Sequence, residues 1–98
     1  MKNYIGQKVI IRSDKAGVFY GVLTEKEGSE VTLSQCRRLW FWSGAASLSQ
    51  LAKEGVKKAS DCKFSVTVEE MQLLGVIEII PCTNEAIKNI ESVPEWKN

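Results

Sequence analysis

Apolar and polar residues alternate along the first forty residues in short stretches that are separated by turn-forming residues. The alternation and the β-branched side chains predict strands over residues 8–12, 18–23 and 29–33. After an interruption at residues 34–36, the same pattern predicts a fourth strand over residues 37–42. Short strands that follow one another through tight turns are typical of an antiparallel meander or an SH3-like partial barrel.

The second half of the chain contains two helical patterns. Apolar residues at helical spacing predict a short helix over residues 45–54, and Gly55 is placed to end it. Thr83 is a good N-cap for a C-terminal helix that runs from residue 84 to about residue 92. The tail that follows contains Trp96, whose ring we expect to dock in the protein's own core or on a neighbouring subunit.

Two further strands are predicted between these helices. Residues 63–68 alternate cleanly, and the nearly continuous apolar run within residues 71–80 predicts a strand that is buried on both faces and ends at Pro81. A chain of 98 residues with 44% hydrophobic content is the size of one domain, which we assign to residues 1–98. We therefore expect an α+β fold, a small antiparallel sheet or SH3-like partial barrel with a central short helix and a C-terminal helix.

The charge balance limits the kind of partner that the protein can bind. Thirteen basic and twelve acidic residues give a net charge of +1, which provides no general field for a long polyanion. Duplex DNA is therefore not an expected partner. A small anionic ligand requires only a few local cations, and the sequence supplies several arginines.

Cysteine and histidine content favour binding over catalysis. The three cysteines are widely spaced and odd in number, which indicates free thiols, a reducing cytoplasm and no zinc site. The chain has no histidine, so the usual general base and the commonest metal ligand are missing. We expect no catalytic residues, no metal and no cofactor. Residues 1–5 lack a signal pattern and no apolar run reaches membrane-spanning length, so we expect no membrane association.

The segment 36–55 holds two of the three tryptophans and leads directly into the first helix. In a regular strand, alternation places Arg38, Trp40 and Trp42 on one face. Arg37, Leu39 and Phe41 then lie on the other face. If Leu39 and Phe41 continue the inward-facing set of the preceding strand, both tryptophans and an arginine face outward, where they need a ligand or a partner.

Two tryptophans beside an arginine match the means by which proteins hold unstacked nucleobases and phosphates. The same trio is also typical of a subunit interface, and each ring on its own is as consistent with the core. Serines near the helix start are either simple caps or, with free backbone N–H groups, part of an anion site. An arginine of this segment is equally well placed to pair with a glutamate. The candidate ligand-binding residues are Arg12, Arg37, Arg38, Trp40, Trp42, Ser43 and Ser47.

The segment 37–52, which reads RRLWFWSGAASLSQLA, resembles the signature of a widespread family of small phage-encoded proteins. Residues 16–18, 62–64 and 77–83 extend the resemblance over nearly the whole chain. Much of this family has been described only as a domain of unknown function, and it is associated with anti-CBASS sponges. Such sponges bind the cyclic oligonucleotide signals of bacterial immunity without cleaving them.

The resemblance implies a phage protein of the host cell cytoplasm that acts in immune evasion as a homo-oligomer, with a tetramer as the expected state. It implies that tryptophans supply platforms for the bases while arginines and the turn after the strand hold phosphate. Two positions depart from the family pattern. Phe41 stands where tyrosine is common, and Cys36 stands where a small residue is usual. A lost ligand contact at Phe41 would change nucleotide preference.

The leading hypothesis is therefore a non-catalytic sponge that sequesters a cyclic oligonucleotide such as a cyclic dinucleotide. One alternative is an SH3-like or Sm-like module that binds single-stranded nucleic acid on the same aromatic face, although the near-neutral charge counts against it. Another is a module that uses the tryptophans to bind a host protein.

Overall fold

The computed structural model describes residues 3–97, which form an antiparallel sheet and two α-helices. The strands pair antiparallel and the helices are separate from them along the chain, so the expected α+β fold class is confirmed. A short 3₁₀ helix spans Ala59–Asp61. The strands are β1 (Lys8–Ser13), β2 (Gly17–Glu27), β3 (Glu30–Phe41), β4 (Lys63–Phe64), β5 (Val68–Leu73) and β6 (Val76–Pro81), and the helices are α1 (Leu48–Glu54) and α2 (Asn84–Ser92).

The sheet is built around the long strand β3. The main path of strands is β4-β3-β2-β1-β6, and β5 also pairs with β3. One edge of β3 pairs with β2, while β5 and β4 share its other edge in succession. Only Leu74 and Gly75 separate β5 from β6, although these strands pair with different partners. The sheet is therefore curled and open, as expected of a partial barrel.

Both faces of the curled sheet are buried, each by its own set of apolar side chains. The two helices pack on the outer face, whereas the inner face packs on itself. Val9 and Ile11 face inward and Ile10 faces the helices, so the alternation predicted for β1 is confirmed. The barrel cluster consists of Val9, Ile11, Phe19, Leu23, Val31, Leu33, Cys36 and Leu73. The helix cluster consists of Ile10, Tyr20, Leu39, Leu51, Ala52, Val56, Cys62, Phe64, Ala86, Ile90 and Val93.

Several predicted strand boundaries are wrong. The predicted strands 29–33 and 37–42 are parts of the single strand β3, because pairing with β2 continues across the predicted interruption. The strand predicted over residues 63–68 ends at Phe64, and the following residues lead into β5, which the pattern did not predict. The prediction that the apolar run of β6 is buried on both faces is also wrong, since Ile77, at a bulge in the pairing with β1, is 53% exposed.

The helices begin and end where their capping residues dictate. Helix α1 begins at Leu48 and not at residue 45, because the Ser47 hydroxyl accepts a hydrogen bond from the Gln50 N–H at 3.2 Å. Gly55 ends α1 as predicted, with a φ of 80° that favours glycine and with Asn89 packed where a Cβ would lie. Thr83 is the N-cap of α2, as predicted.

The Thr83 hydroxyl joins the two helices, since it accepts from the Ala86 N–H at 3.1 Å and donates to the Lys53 carbonyl at 2.6 Å. We expect Thr83→Ala to lower the free energy of unfolding by about 1 kcal/mol, the usual cost of a lost N-cap. Urea denaturation followed by circular dichroism measures this change. Thr67→Ala is the matched control, because the exposed Thr67 hydroxyl makes no hydrogen bond within residues 3–97. Equal losses in the two variants would contradict the capping role.

Candidate functional site

Strand β3 changes the face on which its side chains lie at a first bulge, around Gln35. Gln35 is the only non-glycine residue of the described chain with a positive φ, 49°. Val31 and Leu33 belong to the barrel cluster before the bulge, whereas Leu39 belongs to the helix cluster after it. Leu39 therefore does not continue the inward-facing set of Val31 and Leu33, and the condition stated for the outward tryptophans does not hold. An extra residue in a strand shifts every later side chain to the opposite face.

A glycine on the neighbouring strand accommodates this bulge. The register of β2 with β3 shifts between Tyr20 and Val22, so that Gly21 lies beside the extra residue. A Cβ at Gly21 would lie 3.0 Å from the Ser34 carbonyl oxygen and 3.2 Å from the Cys36 Cα. The missing side chain thus allows the two backbones to approach closely.

A second bulge, at Trp40, changes the face of the sheet on which the following aromatic side chains lie. Leu39 pairs with Phe64 and Phe41 pairs with Lys63, so Trp40 has no partner of its own in β4. Two successive side chains are consequently exposed, Trp40 to 64% and Phe41 to 49%. Trp42 lies beyond the strand and packs, half-buried, against the helix cluster. Phe41 therefore does not face the core, and the prediction that Trp42 shares a face with Trp40 is wrong.

Two cations lie on the strands that carry these residues, Arg38 on β3 and Lys63 on β4. The Arg38 guanidinium stacks over the Phe19 ring, 4.6 Å from its centroid, and donates through Nη1 to the Ala16 carbonyl at 2.5 Å. Its Nε and Nη2 atoms have no hydrogen-bond partner within residues 3–97. On the neighbouring strand, Lys63 Nζ lies 5.2 Å from the Trp96 ring centroid.

Trp96 reaches this position because the tail docks beside β4. The backbone N–H of Trp96 donates to the Phe64 carbonyl at 2.8 Å, and the backbone of Glu95 forms a parallel β-bridge with Phe64. The indole remains 51% exposed, so the ring is docked on its own chain without being covered. We call Arg38, Trp40, Phe41, Lys63 and Trp96 the aromatic face.

Arg37 is buried on the opposite side of β3, with only 4% exposure. Its guanidinium donates to the carbonyls of Ser65 at 3.0 Å and Ile90 at 2.9 Å, and over 3.4 Å to those of Phe64 and Pro94. Burial lowers the pKa of Arg37, and the Glu95 carboxylate opposes this effect. Arg37 therefore ties β3 to the end of α2 and to the tail that carries Trp96.

Three other predicted site residues make contacts within the fold. Arg12 is on β1, separated from β3 by β2, and its Nε donates to Glu78 at 2.6 Å. The Ser43 N–H donates to Cys62 Sγ at 3.4 Å, and Ser47 caps a helix of seven residues. Of the seven predicted residues, two are members of the aromatic face, Arg38 and Trp40.

Sequence reasoning missed Lys63 and Trp96 as members of this face. The alternation over residues 63–68 indicated that Lys63 and Phe64 point in opposite directions, and the burial of Phe64 confirms this pair. Nothing in the sequence indicated that the tail docks beside β4. That contact depends on the backbone bonds to Phe64 and on Arg37, which are brought together only in the folded chain.

A cleft of ≈ 390 Å³ lies on the helix side of the sheet, over the first bulge. Its charged lining is balanced, because it contains the cations Lys8 and Arg37 and the carboxylates Glu91 and Glu95. Glu91 accepts hydrogen bonds from Lys8 at 2.7 Å and from the Tyr20 hydroxyl at 2.6 Å. Burial raises the pKa of Glu91, but these two bonds outweigh it and the pKa lies below its ordinary value. An anion in this cleft would therefore lie near two carboxylates, whereas the two charged members of the aromatic face are both cations.

The fold and the site together define a small α+β domain that exposes aromatic rings and cations on one face of a bulged sheet. The chain belongs to the family described as a domain of unknown function, DUF6948, whose model matches residues 6–90. The expected membership in a family of unknown function is thereby confirmed. No curated protein and no solved structure matches the chain. Within residues 3–97 no helix is long and apolar enough to cross a membrane.

The role of Arg37 predicts a large loss of stability when its guanidinium group is replaced. We expect Arg37→Lys to lower the free energy of unfolding by roughly 2–3 kcal/mol, because one ammonium cannot reach all the buried carbonyls. Arg12→Lys is the control, since its exposed ion pair with Glu78 contributes about 1 kcal/mol or less. Urea denaturation of both variants compares the two arginines. Similar losses in the two variants would refute the tie between β3 and the tail.

Proposed function

We propose that this protein is a non-catalytic sponge that binds and sequesters a cyclic oligonucleotide signal of bacterial immunity, such as a cyclic dinucleotide. The observation that carries the proposal is the aromatic face, where large rings remain uncovered on and beside two strands that also carry cations. The resemblance of residues 37–52 to phage-encoded sponges favours this ligand class over other flat anions. In this role the protein withholds the signal from a host effector during phage infection.

The chemistry of a cyclic dinucleotide suits this surface. The ligand presents two bases and two phosphates within one small ring. Trp40 and Phe41 offer exposed rings for stacking, which contributes about 1–3 kcal/mol per base in proteins that bind single strands. Lys63 and the unpaired Nε and Nη2 atoms of Arg38 are available for phosphate oxygens. Arg37, buried on backbone carbonyls, positions the tail in this account and does not contact the ligand.

Sequestration requires only that the protein's binding sites are in excess of the signal. The free concentration of the signal falls in proportion to the ratio of free sites to the dissociation constant, so no turnover is needed. Slow release of the ligand then determines how long an effector remains without its signal. The proposed mechanism uses stacking and charge neutralisation, and it assigns no residue a role in bond cleavage.

The same face would also suit the unstacked bases of single-stranded nucleic acid. Such modules usually combine their aromatic residues with a positively charged groove, and their affinity depends strongly on salt. The net charge of +1 supports a small ligand over a long one. The two possibilities differ in the ligand that saturates the site, so one titration series separates them.

The test is isothermal titration calorimetry of the purified protein with a panel of cyclic di- and trinucleotides, followed by recovery of the ligand after heating. We expect one member of the panel to bind and to be recovered intact. Trp40→Ala should weaken this binding about tenfold or more, because one stacking platform is lost. Leu74→Ala is the matched control, since Leu74 is similarly exposed, at 60%, but lies in the turn between β5 and β6.

Three outcomes would overturn the proposal or its site. Absence of binding to every cyclic nucleotide removes the function, and recovery of cleaved ligand makes the protein an enzyme. Salt-dependent binding of single-stranded oligonucleotides alone supports the nucleic-acid module instead. Equal affinities of the Trp40→Ala and Leu74→Ala variants would move the site away from the aromatic face.

A further inference from the structure

The cleft over the first bulge has the dimensions of a ligand site, and the proposed function makes no use of it. Its volume of ≈ 390 Å³ lies within the range of about 300–1,000 Å³ that is usual for small-molecule sites. Strand β2, the bulged part of β3, helix α2 and the tail all contribute to its walls, through residues such as Gly21, Gln35, Glu91 and Glu95. Four segments that are separate in the sequence therefore form a single concave surface.

Gln35 lines the cleft with a backbone conformation that its side chain disfavours. Its φ of 49° lies in the left-handed region, which glycine adopts freely and which glycine commonly supplies at a β-bulge. A glycine would therefore satisfy the bulge without strain. Strained residues of this kind concentrate at binding sites, where the surrounding fold holds them in place. The glutamine side chain is thus better explained by the cleft than by the strand.

Each charged group in the cleft already has a partner on the protein. Lys8 and Glu91 form a salt bridge at 2.7 Å. Arg37 donates to backbone carbonyls, and its guanidinium attracts the Glu95 carboxylate, which also accepts a hydrogen bond from the Thr67 N–H at 3.2 Å. A charged ligand would lose hydration here without meeting an unused counterion. The charges of the lining therefore favour an uncharged ligand.

The polar side chains that remain unused in the cleft are neutral. Neither the Gln35 amide nor the Thr67 hydroxyl makes a hydrogen bond within residues 3–97. The amide presents an N–H donor beside a carbonyl acceptor, and the hydroxyl can donate or accept. Val22 and Val93 add apolar surface to the same lining. The cleft thus combines a few open hydrogen-bonding groups with apolar walls, as small-molecule sites usually do.

We infer that this cleft binds a small uncharged molecule that carries a carboxamide or lactam group. Such a group presents an acceptor beside a donor, so it forms two hydrogen bonds with the amide of Gln35. The Thr67 hydroxyl is available for a further polar atom of the ligand, and the valines contact its apolar part. A sugar fits less well, because it presents more hydroxyl groups than the cleft has open partners.

The cleft is independent of the proposed ligand. Its lining includes no member of the aromatic face. A cyclic dinucleotide carries two phosphates, which the carboxylates of Glu91 and Glu95 would repel from the cleft. A molecule in the cleft and a nucleotide on the aromatic face consequently contact different residues, so failure of this inference and failure of the proposed function give different results.

Titration of the isotope-labelled full chain, followed by NMR, tests the inference with nicotinamide and uracil as probes. Each probe has a charged counterpart of similar shape that carries a carboxylate, nicotinate for nicotinamide and orotate for uracil. We expect at least one neutral probe to shift the side-chain amide signals of Gln35 and the backbone N–H signal of Gly21, while the indole N–H signal of Trp40 stays in place. The charged counterparts should bind at least about tenfold more weakly, because their carboxylate finds no unused cation.

Substitution at Gln35 separates the role of its side chain from that of its backbone. Gln35→Gly removes the amide and relieves the positive φ, so it should abolish the shift at Gly21 while the chain unfolds at the same urea concentration or a higher one. Gln72→Ala is the matched control, because it removes an exposed amide from β5 and should leave the binding unchanged. Absence of shifts with both neutral probes, shifts confined to Trp40, equal binding of a charged counterpart, or full binding by Gln35→Gly would each overturn the inference.

Discussion

The two bulges in β3 are the constraint on which the rest of the structure depends. Each inserts one extra residue and so moves the following side chains to the other face of the sheet. The first bulge places Leu39 in the helix cluster. The second leaves the side chains of Trp40 and Phe41 exposed to solvent, whereas Trp42 packs against the helix cluster. Without them a strand of twelve residues would present one unbroken alternation, and the exposed aromatic pair would not exist.

Arg37 connects this strand geometry to the candidate site. The first bulge places its side chain on the helix side of the sheet, where it reaches backbone carbonyls from β4, α2 and the tail. Such a buried cation is costly to desolvate and stabilises the fold only because its donors are used. The tail so fixed carries Trp96 to Lys63. One exposed indole, that of Trp96, therefore lies beside β4, and the other, that of Trp40, lies on the neighbouring strand β3. The site thus depends on a residue that does not line it.

The sequence predicted the features that depend on local chemistry. Capping by Thr83, termination by Gly55 and the two-sided alternation of β1 follow from residue type and spacing alone, and the structure confirms all three. The bulges were not predictable in this way, because they depend on the pairing of β3 with β2 and β4. The extra residue at Gln35 carries no local signal, and the glycine that accommodates it, Gly21, lies on another strand. An alternation rule applied across both bulges therefore gave Phe41 and Trp42 the wrong faces.

The central claim is that the second bulge exposes Trp40 and returns Trp42 to the core side. Iodide quenching of fluorescence in variants that retain a single tryptophan tests this most directly. A chain with Trp42→Phe and Trp96→Phe keeps only Trp40, and its emission should be red-shifted and strongly quenched. A chain with Trp40→Phe and Trp96→Phe keeps only Trp42, and its emission should be blue-shifted and protected. Equal quenching of the two indoles would contradict the account.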